Sequence, residues 1–227
     1  MAVQQKKRPS TQFQVQDTVN KAEHYYRNNA RIINIVGIVI ILLIGGYFGY
    51  KYLYLAPREG KAQAMIFKAQ QYFQKDSLRL ALEGDGNNYG YLQVMQRYGG
   101  TKVGKLAALS AGICYVRLGE YQKGIDLLEK FHVEDRVMQP LAYGLLGDAY
   151  MELNKTGQGI AAYKKAGYYS DNDLIAPLYL MRAGLALEKA GKNKEAVAIY
   201  RQIKQKYPQS LQGHDIDKYL ARAGDTE

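Results

Sequence analysis

Residues 180–208, LMRAGLALEKAGKNKEAVAIYRQIKQKYP, decide the fold of this chain. Small and apolar residues recur three and four positions apart on both sides of Ala190-Gly191, which predicts two helices joined by a tight turn. A glycine just past the first helix suits the left-handed backbone that ends many helices. Pro208 stands where the second helix must stop. The stretch therefore predicts a pair of packed helices.

The same pattern occurs twice more upstream, so three copies align. The first helix of each copy carries a marker glycine, at Gly112, Gly147 and Gly184, and these are 35 and 37 residues apart. We predict that each glycine lets the first helix press closely against the second. The other columns that define the repeat hold residues that fill the layers or stop the last helix: Tyr115, Tyr150 and Pro208. A regular period is typical of a helical solenoid, and an unrelated bundle with chance spacing is the alternative.

A fourth, degenerate copy precedes these three. Ala69 and Asp76 match the columns of the marker glycine and of the turn, and residues 84–98 hold an insertion. We predict an extended or kinked second helix there, with a polar connecting loop at 84–89. Residues 211–223 are predicted to form one last helix, which covers the open end of the solenoid. The domain thus has about four helix pairs and a capping helix.

A second feature is the apolar run from Ile32 to Tyr50, in which Asn34 is the one strongly polar residue. As a helix these nineteen residues span roughly 28 Å, close to the thickness of the hydrocarbon core of a bilayer. We predict a transmembrane signal-anchor helix over 32–55. A buried core helix and a cleaved signal peptide are the alternatives. Gly45 and Gly49 form a GxxxG pattern and, with Asn34, are candidates for helix packing in the membrane.

The charge distribution predicts an orientation. The chain has 31 Lys and Arg against 21 Asp and Glu, and its first 31 residues hold six basic and two acidic side chains. The positive-inside rule places such a tail in the cytoplasm, although Lys51 and Lys61 weaken the contrast. In a bacterium, residues 56–227 would then be a periplasmic domain anchored in the inner membrane, beside the lipid bilayer. Both signs of charge are interspersed in that domain, so no nucleic-acid partner is expected.

No arrangement of residues predicts catalysis. His24, His132 and His214 are scattered, and the sequence has no phosphate-binding, zinc-protease or serine-hydrolase motif. The polar loop lacks the alternating acidic ligands of a calcium loop. Cys114 lies in a helical apolar pattern, which favours a buried thiol over a reactive one. We therefore predict no enzyme activity, no cofactor and no metal.

Binding is the function that remains, and tyrosine is the residue type that suits it. The chain has 21 tyrosines, and tyrosine offers a large contact area with one hydrogen-bonding group. Six tyrosines lie outside the strictest repeat columns and are candidate interaction residues, with a core role as the alternative for each: Tyr89, Tyr91, Tyr98, Tyr168, Tyr169 and Tyr179.

These columns resemble the tetratricopeptide repeat (TPR), an antiparallel helix pair of about 34 residues. The sequence thus predicts an all-α protein, with a single N-terminal transmembrane helix followed by a TPR α-solenoid.

The layout of a short tail, one span and TPR repeats is similar to that of the YfgM-like proteins. Gly99-Gly100-Thr101-Lys102-Val103-Gly104-Lys105-Leu106-Ala107, followed by Ala111-Gly112-Ile113-Cys114-Tyr115, resembles a signature of their Bacteroidetes-type relatives. The resemblance implies an ancillary subunit of the SecYEG translocon that contacts a membrane-anchored periplasmic prolyl isomerase and emerging client chains. Two other classes stay open, a scaffold for another cell-envelope complex and a subunit that regulates an enzyme.

Overall fold

The computed structural model describes residues 11–169 and 171–225, and the chain divides into two compact units, Met1–Ala56 and Pro57–Glu227. In the first unit, α1 covers Thr11–Gly49 and a π-helical segment covers Tyr50–Leu55. One window within the helical stretch Glu23–Gln74 is long and apolar enough to cross a membrane. None of that window is buried in the protein, so it does not serve as a core helix. Residues 1–10 of the predicted tail lie outside the described residues.

The π-helical segment has a local cause in the sequence. Pro57 has no backbone N–H, so in a regular α-helix the carbonyl of Leu53 would lose its partner. The turn before the proline is wider than an α-helical turn, and the N–H of Ala56 donates to the carbonyl of Lys51, five residues back. Such π turns interrupt α-helices where the regular ladder of hydrogen bonds is disturbed.

The second unit is built from helices, and its described residues contain no strand beyond an isolated bridge between Gly84 and Tyr89. α5 pairs with α6, α7 with α8, and α9 with α10, which confirms the all-α repeat fold. The helices are α2 (Ala56–Gln74), α3 (Leu78–Glu83), α4 (Tyr91–Tyr98), α5 (Lys102–Arg117), α6 (Tyr121–Leu128), α7 (Met138–Glu152), α8 (Thr156–Tyr169), α9 (Ile175–Lys189), α10 (Asn193–Lys206), α11 (Leu211–His214) and α12 (Ile216–Ala223).

The first helix of every copy, α2, α5, α7 and α9, ends in the same way. The residue seven positions after the marker position has a positive φ in all four: Asp76 (58°), Gly119 (75°), Asn154 (57°) and Gly191 (72°). The next N–H then donates to a carbonyl five residues back, at 2.8–2.9 Å: Ser77 to Tyr72, Glu120 to Tyr115, Lys155 to Tyr150 and Lys192 to Leu187. This is the bond of a Schellman cap, which satisfies a carbonyl at the helix end. The degenerate first copy therefore keeps the turn of the other three.

The marker glycines lie where the two helices of a pair touch. A Cβ built on Gly112, Gly147 or Gly184 would approach the residue sixteen positions later to 2.6, 2.4 and 2.2 Å, respectively. Those residues are Leu128, Tyr163 and Tyr200. A Cβ at these distances would force the facing side chain to shift, so all three close approaches favour glycine.

Three segments depart from the regular pattern. The predicted second helix of the first copy is two helices, α3 and α4, because Gly84 has a φ of 85° and the carboxylate of Asp85 accepts from the N–H groups of Asn87 and Asn88. α6 has 8 residues where α8 and α10 have 14. The predicted last helix over 211–223 is also broken, into α11 and α12, with Asp215 between them.

Two apolar clusters form the core of the repeat unit. One joins α2, α3, α4 and α5, and the other extends from α5 to α12. A polar contact ties α2 to the second copy, since the carboxylate of Glu59 accepts from the N–H groups of Lys102 and Val103 at 2.9 and 2.8 Å. A carboxylate at a helix start satisfies free N–H groups and favours the helix dipole.

Candidate functional site

An apolar groove of about 740 Å³ opens beside the starts of α7, α9 and α11. Its volume falls in the range of pockets that bind small ligands or several side chains of a peptide. We define the groove by the apolar residues that line it and that the rest of the fold leaves uncovered or half-covered: Val137, Leu141, Leu174, Ile175, Leu178 and Leu211.

Three of these residues form a row that follows the repeat. Val137, Leu174 and Leu211 are 37 residues apart, and each stands at or just before the start of a helix. Their exposed fractions are 54, 79 and 81 %. Single exposed apolar side chains are common on protein surfaces, but a contiguous set around a groove is typical of an interaction site.

The backbone N–H groups at the helix starts beside the groove already have partners within the chain. The carboxylate of Asp135 accepts from Val137 and Met138, each at 2.8 Å, and these bonds hold the pKa of Asp135 below its usual range. The side-chain oxygen of Asn172 accepts from Leu174 and Ile175 at 2.9 and 3.0 Å. The groove is therefore a surface for apolar groups, without spare donors at the ends of α7 and α9.

A second cavity, of about 550 Å³, lies near the short α6. Lys105, His132, Tyr143 and Tyr169 are among its lining residues. The hydroxyl of Tyr169 donates to the carbonyl of Val133 at 3.0 Å, so this tyrosine helps to hold the segment that follows α6. The shorter helix leaves space that a helix of fourteen residues would fill.

The candidate tyrosines do not share one site. Tyr91, Tyr98 and Tyr179 are buried, which differs from the exposure that a binding role requires. Tyr91 and Tyr98 belong to the insertion and contact Phe73 and Arg58 of α2, respectively. Tyr179 fills the space above Gly144, where a built Cβ would be 2.0 Å from its ring. Burial favours the core alternative for Tyr91 and Tyr98, whereas Tyr179 also lines the apolar groove, so a binding role for it stays a prediction.

The remaining candidates are accessible but scattered. Tyr168 and Tyr169 are exposed at the end of α8, and the hydroxyl of Tyr168 donates to the side chain of Gln202 at 2.9 Å. Tyr89 is half-buried in the insertion, where the guanidinium of Arg97 lies 5.3 Å from its ring centre. The sequence analysis did not identify the row Val137, Leu174 and Leu211 as a candidate site. Its signal was an apolar residue ten positions before a marker glycine, at Val137 and Leu174.

Tyrosine also holds successive copies together through two similar clusters. In the first, the carboxylate of Asp148 accepts from the hydroxyl of Tyr163 at 2.6 Å and pairs with Arg182 of the next copy at 2.7 Å. Burial and this hydrogen bond raise the pKa of Tyr163. In the second cluster, Glu188 accepts from the hydroxyl of Tyr200 and pairs with Arg222 of α12. These contacts are structural.

Of the residues predicted to pack in the membrane, Asn34 and Gly45 are exposed in α1 and Gly49 is half-buried. A Cβ built on Gly45 or Gly49 meets no atom within 4 Å, and the side chain of Asn34 accepts from the hydroxyl of Tyr26 at 3.2 Å. Cys114 is fully buried, and burial raises the pKa of its thiol to about 11. The described residues contain no group of three or more His, Cys, Asp and Glu that could hold a metal ion.

Comparisons with known proteins agree with this architecture. A model of the tetratricopeptide repeat matches residues 179–210, which include most of α9 and all of α10. The fold is similar to the crystal structure of TPR-like repeats of a putative kinesin light chain from Podospora anserina. That match has a TM-score of 0.54 at 16 % identity and covers 73 % of this chain and 85 % of the other.

A second similar structure is that of MamA protein, with a TM-score of 0.50 at 19 % identity over 72 % of this chain and 91 % of the other. No protein among those with curated descriptions matches the sequence. At these identities the likeness shows the fold alone. The chain thus has TPR-like repeats, a fold suited to protein–protein contacts, and one N-terminal helix long and apolar enough to span a membrane.

Proposed function

We propose that this protein is a membrane-anchored adaptor whose repeat domain binds other proteins through the apolar groove. The observation that carries the proposal is the row of exposed apolar residues Val137, Leu174 and Leu211. Leaving a leucine side chain in water forfeits about 1.5–3 kcal/mol relative to burying it, so a partner that covers the row gains binding energy. The protein acts by contact, not by catalysis.

The anchor places this groove on one side of a membrane. We propose that residues 1–31 are cytoplasmic, that 32–55 span the bilayer, and that 56–227 lie in the periplasm of a bacterium. Six basic residues in the tail support this orientation. Tyr47, Tyr50, Tyr52 and Tyr54 are exposed at the far end of the apolar stretch, where aromatic residues prefer the interface of a bilayer.

The partner that we propose is the SecYEG translocon, together with a membrane-anchored periplasmic prolyl isomerase. The support is the similarity of the layout, and of residues 99–115, to the YfgM-like proteins. An anchored groove near the exit of a translocon would meet emerging chains at a high local concentration. Unfolded client segments are therefore part of the proposal.

The test is affinity purification of the full-length protein from native membranes in mild detergent, followed by quantitative mass spectrometry. We expect SecY and an isomerase in near-stoichiometric amounts. A groove variant, Leu174→Ser with Leu211→Ser, should lose the partner that the groove holds. Leu80→Ser is the matched control, because Leu80 is also exposed but lies on α3, outside the groove.

Other outcomes separate the proposals. Enrichment of a different cell-envelope complex, lost in the groove variant, would replace the translocon by that complex and keep the adaptor role. If the wild-type protein recovers no membrane or periplasmic partner at all, the adaptor role itself is refuted.

A further inference from the structure

The groove lies in an acidic part of an otherwise basic protein. The three segments that precede or contain the helix starts, 131–137, 171–174 and 207–215, hold five carboxylates and one arginine. The whole chain, in contrast, has 31 Lys and Arg against 21 Asp and Glu. The acidic residues are all exposed: Glu134, Asp135, Asp171, Asp173 and Asp215. A local excess of one sign selects partners of the opposite charge.

One of these carboxylates belongs to the groove itself. Asp173 lines it directly beside Leu174, and the other polar residues of its lining, Gln209, Ser210 and Gln212, are uncharged. A cation next to apolar side chains would therefore meet an acidic group at the rim of the groove. Among the residues that the structure describes, no lysine or arginine lines the groove to receive an acidic group.

The helix starts do not offset this preference. A helix N-terminus ordinarily attracts anions because its first N–H groups are free. Here those of Val137 and Leu174 are bound by Asp135 and Asn172, and the N–H of Gly213 donates to the hydroxyl of Ser210. An anionic ligand would thus meet the carboxylate of Asp173 at the rim, and the N–H groups of Val137, Leu174 and Gly213 would not be free to bind it.

We propose that the groove binds a segment of a partner polypeptide in which leucine-like residues stand next to lysine or arginine. The apolar side chains cover the row Val137, Leu174 and Leu211, and the cation lies against Asp173. This inference rests on the proposed adaptor function and defines the chemistry of the segment that the groove accepts.

The first test uses two fluorescent twelve-residue peptides with the same leucines, one with lysines and the other with glutamates between them. The full-length protein is placed in nanodiscs of zwitterionic lipid, and binding is followed by fluorescence anisotropy. All variants are measured in nanodiscs of the same lipid, so a difference in peptide affinity between variants is due to the protein and not to the lipid. We expect the lysine peptide to bind at least tenfold more tightly than the glutamate peptide. Raising the NaCl concentration should reduce this difference.

The variants identify the surface. Leu174→Ser with Leu211→Ser should weaken binding of the lysine peptide at least tenfold, which corresponds to about 1.4 kcal/mol. Asp173→Asn should weaken binding of the lysine peptide. It should not change the affinity for a third peptide that has glutamines between the same leucines. The affinity of Leu80→Ser for the lysine peptide should stay within twofold of that of the wild type. Equal affinity for the two charged peptides, or an unchanged affinity in the groove variant, overturns the inference.

A second readout identifies the natural occupant. A photo-crosslinker at position 174 in native membranes should capture segments that are apolar and basic. Recovery of the protein's own peptides would show a second copy in the groove and would overturn the inference. The two proposals fail separately. A partner that copurifies equally with the wild-type and groove variants refutes binding through the groove and leaves the adaptor role itself in place. Lysine-peptide binding without any copurifying protein refutes the adaptor function alone.

Discussion

Replacement of Gly184 by alanine should destabilise the repeat unit by about 1–3 kcal/mol, the usual cost of overpacking. At an exposed helical position the same change stabilises by about 0.5–1 kcal/mol, because alanine is the better helix former. Here the new Cβ would lie 2.2 Å from Cε1 and 2.8 Å from Cζ of Tyr200. That ring is fully buried and its hydroxyl donates to Glu188, which also binds Arg222. The ring cannot turn away without losing these contacts. The cost of the steric overlap therefore exceeds the gain from the better helix propensity of alanine.

The assay is urea unfolding of the full-length protein in detergent micelles, followed by far-UV circular dichroism and tyrosine fluorescence, since the chain has no tryptophan. Gly184→Ala should lower the urea midpoint. Gly60→Ala is the matched control and should raise it, because Gly60 is exposed in α2 with no atom within 4 Å of its built Cβ. In a Tyr200→Leu background, which reproduces the Gly112–Leu128 pair, the cost of Gly184→Ala should shrink. Stabilisation by Gly184→Ala would refute the steric argument.

Three further predictions concern the turn, the insertion and the thiol. Asn154 has a φ of 57°, so Asn154→Ala should lower the free energy of unfolding, measured by urea unfolding, by about 1 kcal/mol. Asn154→Gly should leave the free energy of unfolding unchanged. The hydroxyl of Tyr72 and the side chain of Asn88 hold the pKa of Asp85 well below its usual 3.8. Its contribution to stability is therefore present above pH 3.8 and lost as the pH falls further. Thermal melts of Asp85→Asn should depend less on pH in that acidic range, and a slope equal to that of the wild type would contradict this. Burial raises the pKa of Cys114 to about 11, so maleimide at pH 7 should label it only after unfolding, and rapid labelling of the folded protein would contradict its burial.

The repeat could be predicted from the sequence because its signals are local. A glycine at the helix crossing and a residue that tolerates positive φ seven positions later depend on contacts within one helix pair. Asp76 shows how far this extends, since it occupies the turn column in a copy without a marker glycine and still has a φ of 58°. Acidic and amide side chains adopt this conformation more readily than other non-glycine residues.

The burial of individual tyrosines could not be predicted in the same way, because it depends on contacts between helices that are distant in the sequence. Tyr91 lies in a helical pattern that fits either the surface or the core, and in the structure it is buried, with the ring of Phe73 6.1 Å away between ring centres. Tyr179 is buried by its contact with α7, an element of the preceding copy. The sequence pattern of one helix does not predict which side chains of a neighbouring helix will cover its residues.

The row Val137, Leu174 and Leu211 differs from the buried tyrosines, because contacts between copies leave it exposed. Stacking in a solenoid buries the columns that face a neighbouring helix, and it buries them in every copy, as at Gly147 and Gly184. A column that keeps the period, is apolar and stays exposed is not explained by stacking. Val137, Leu174 and Leu211 form such a column over residues 137–211, whereas Lys102 holds the corresponding position of the copy before them. The row is therefore left free by the repeat itself, which is why it, and not the tyrosines, is the surface to mutate first.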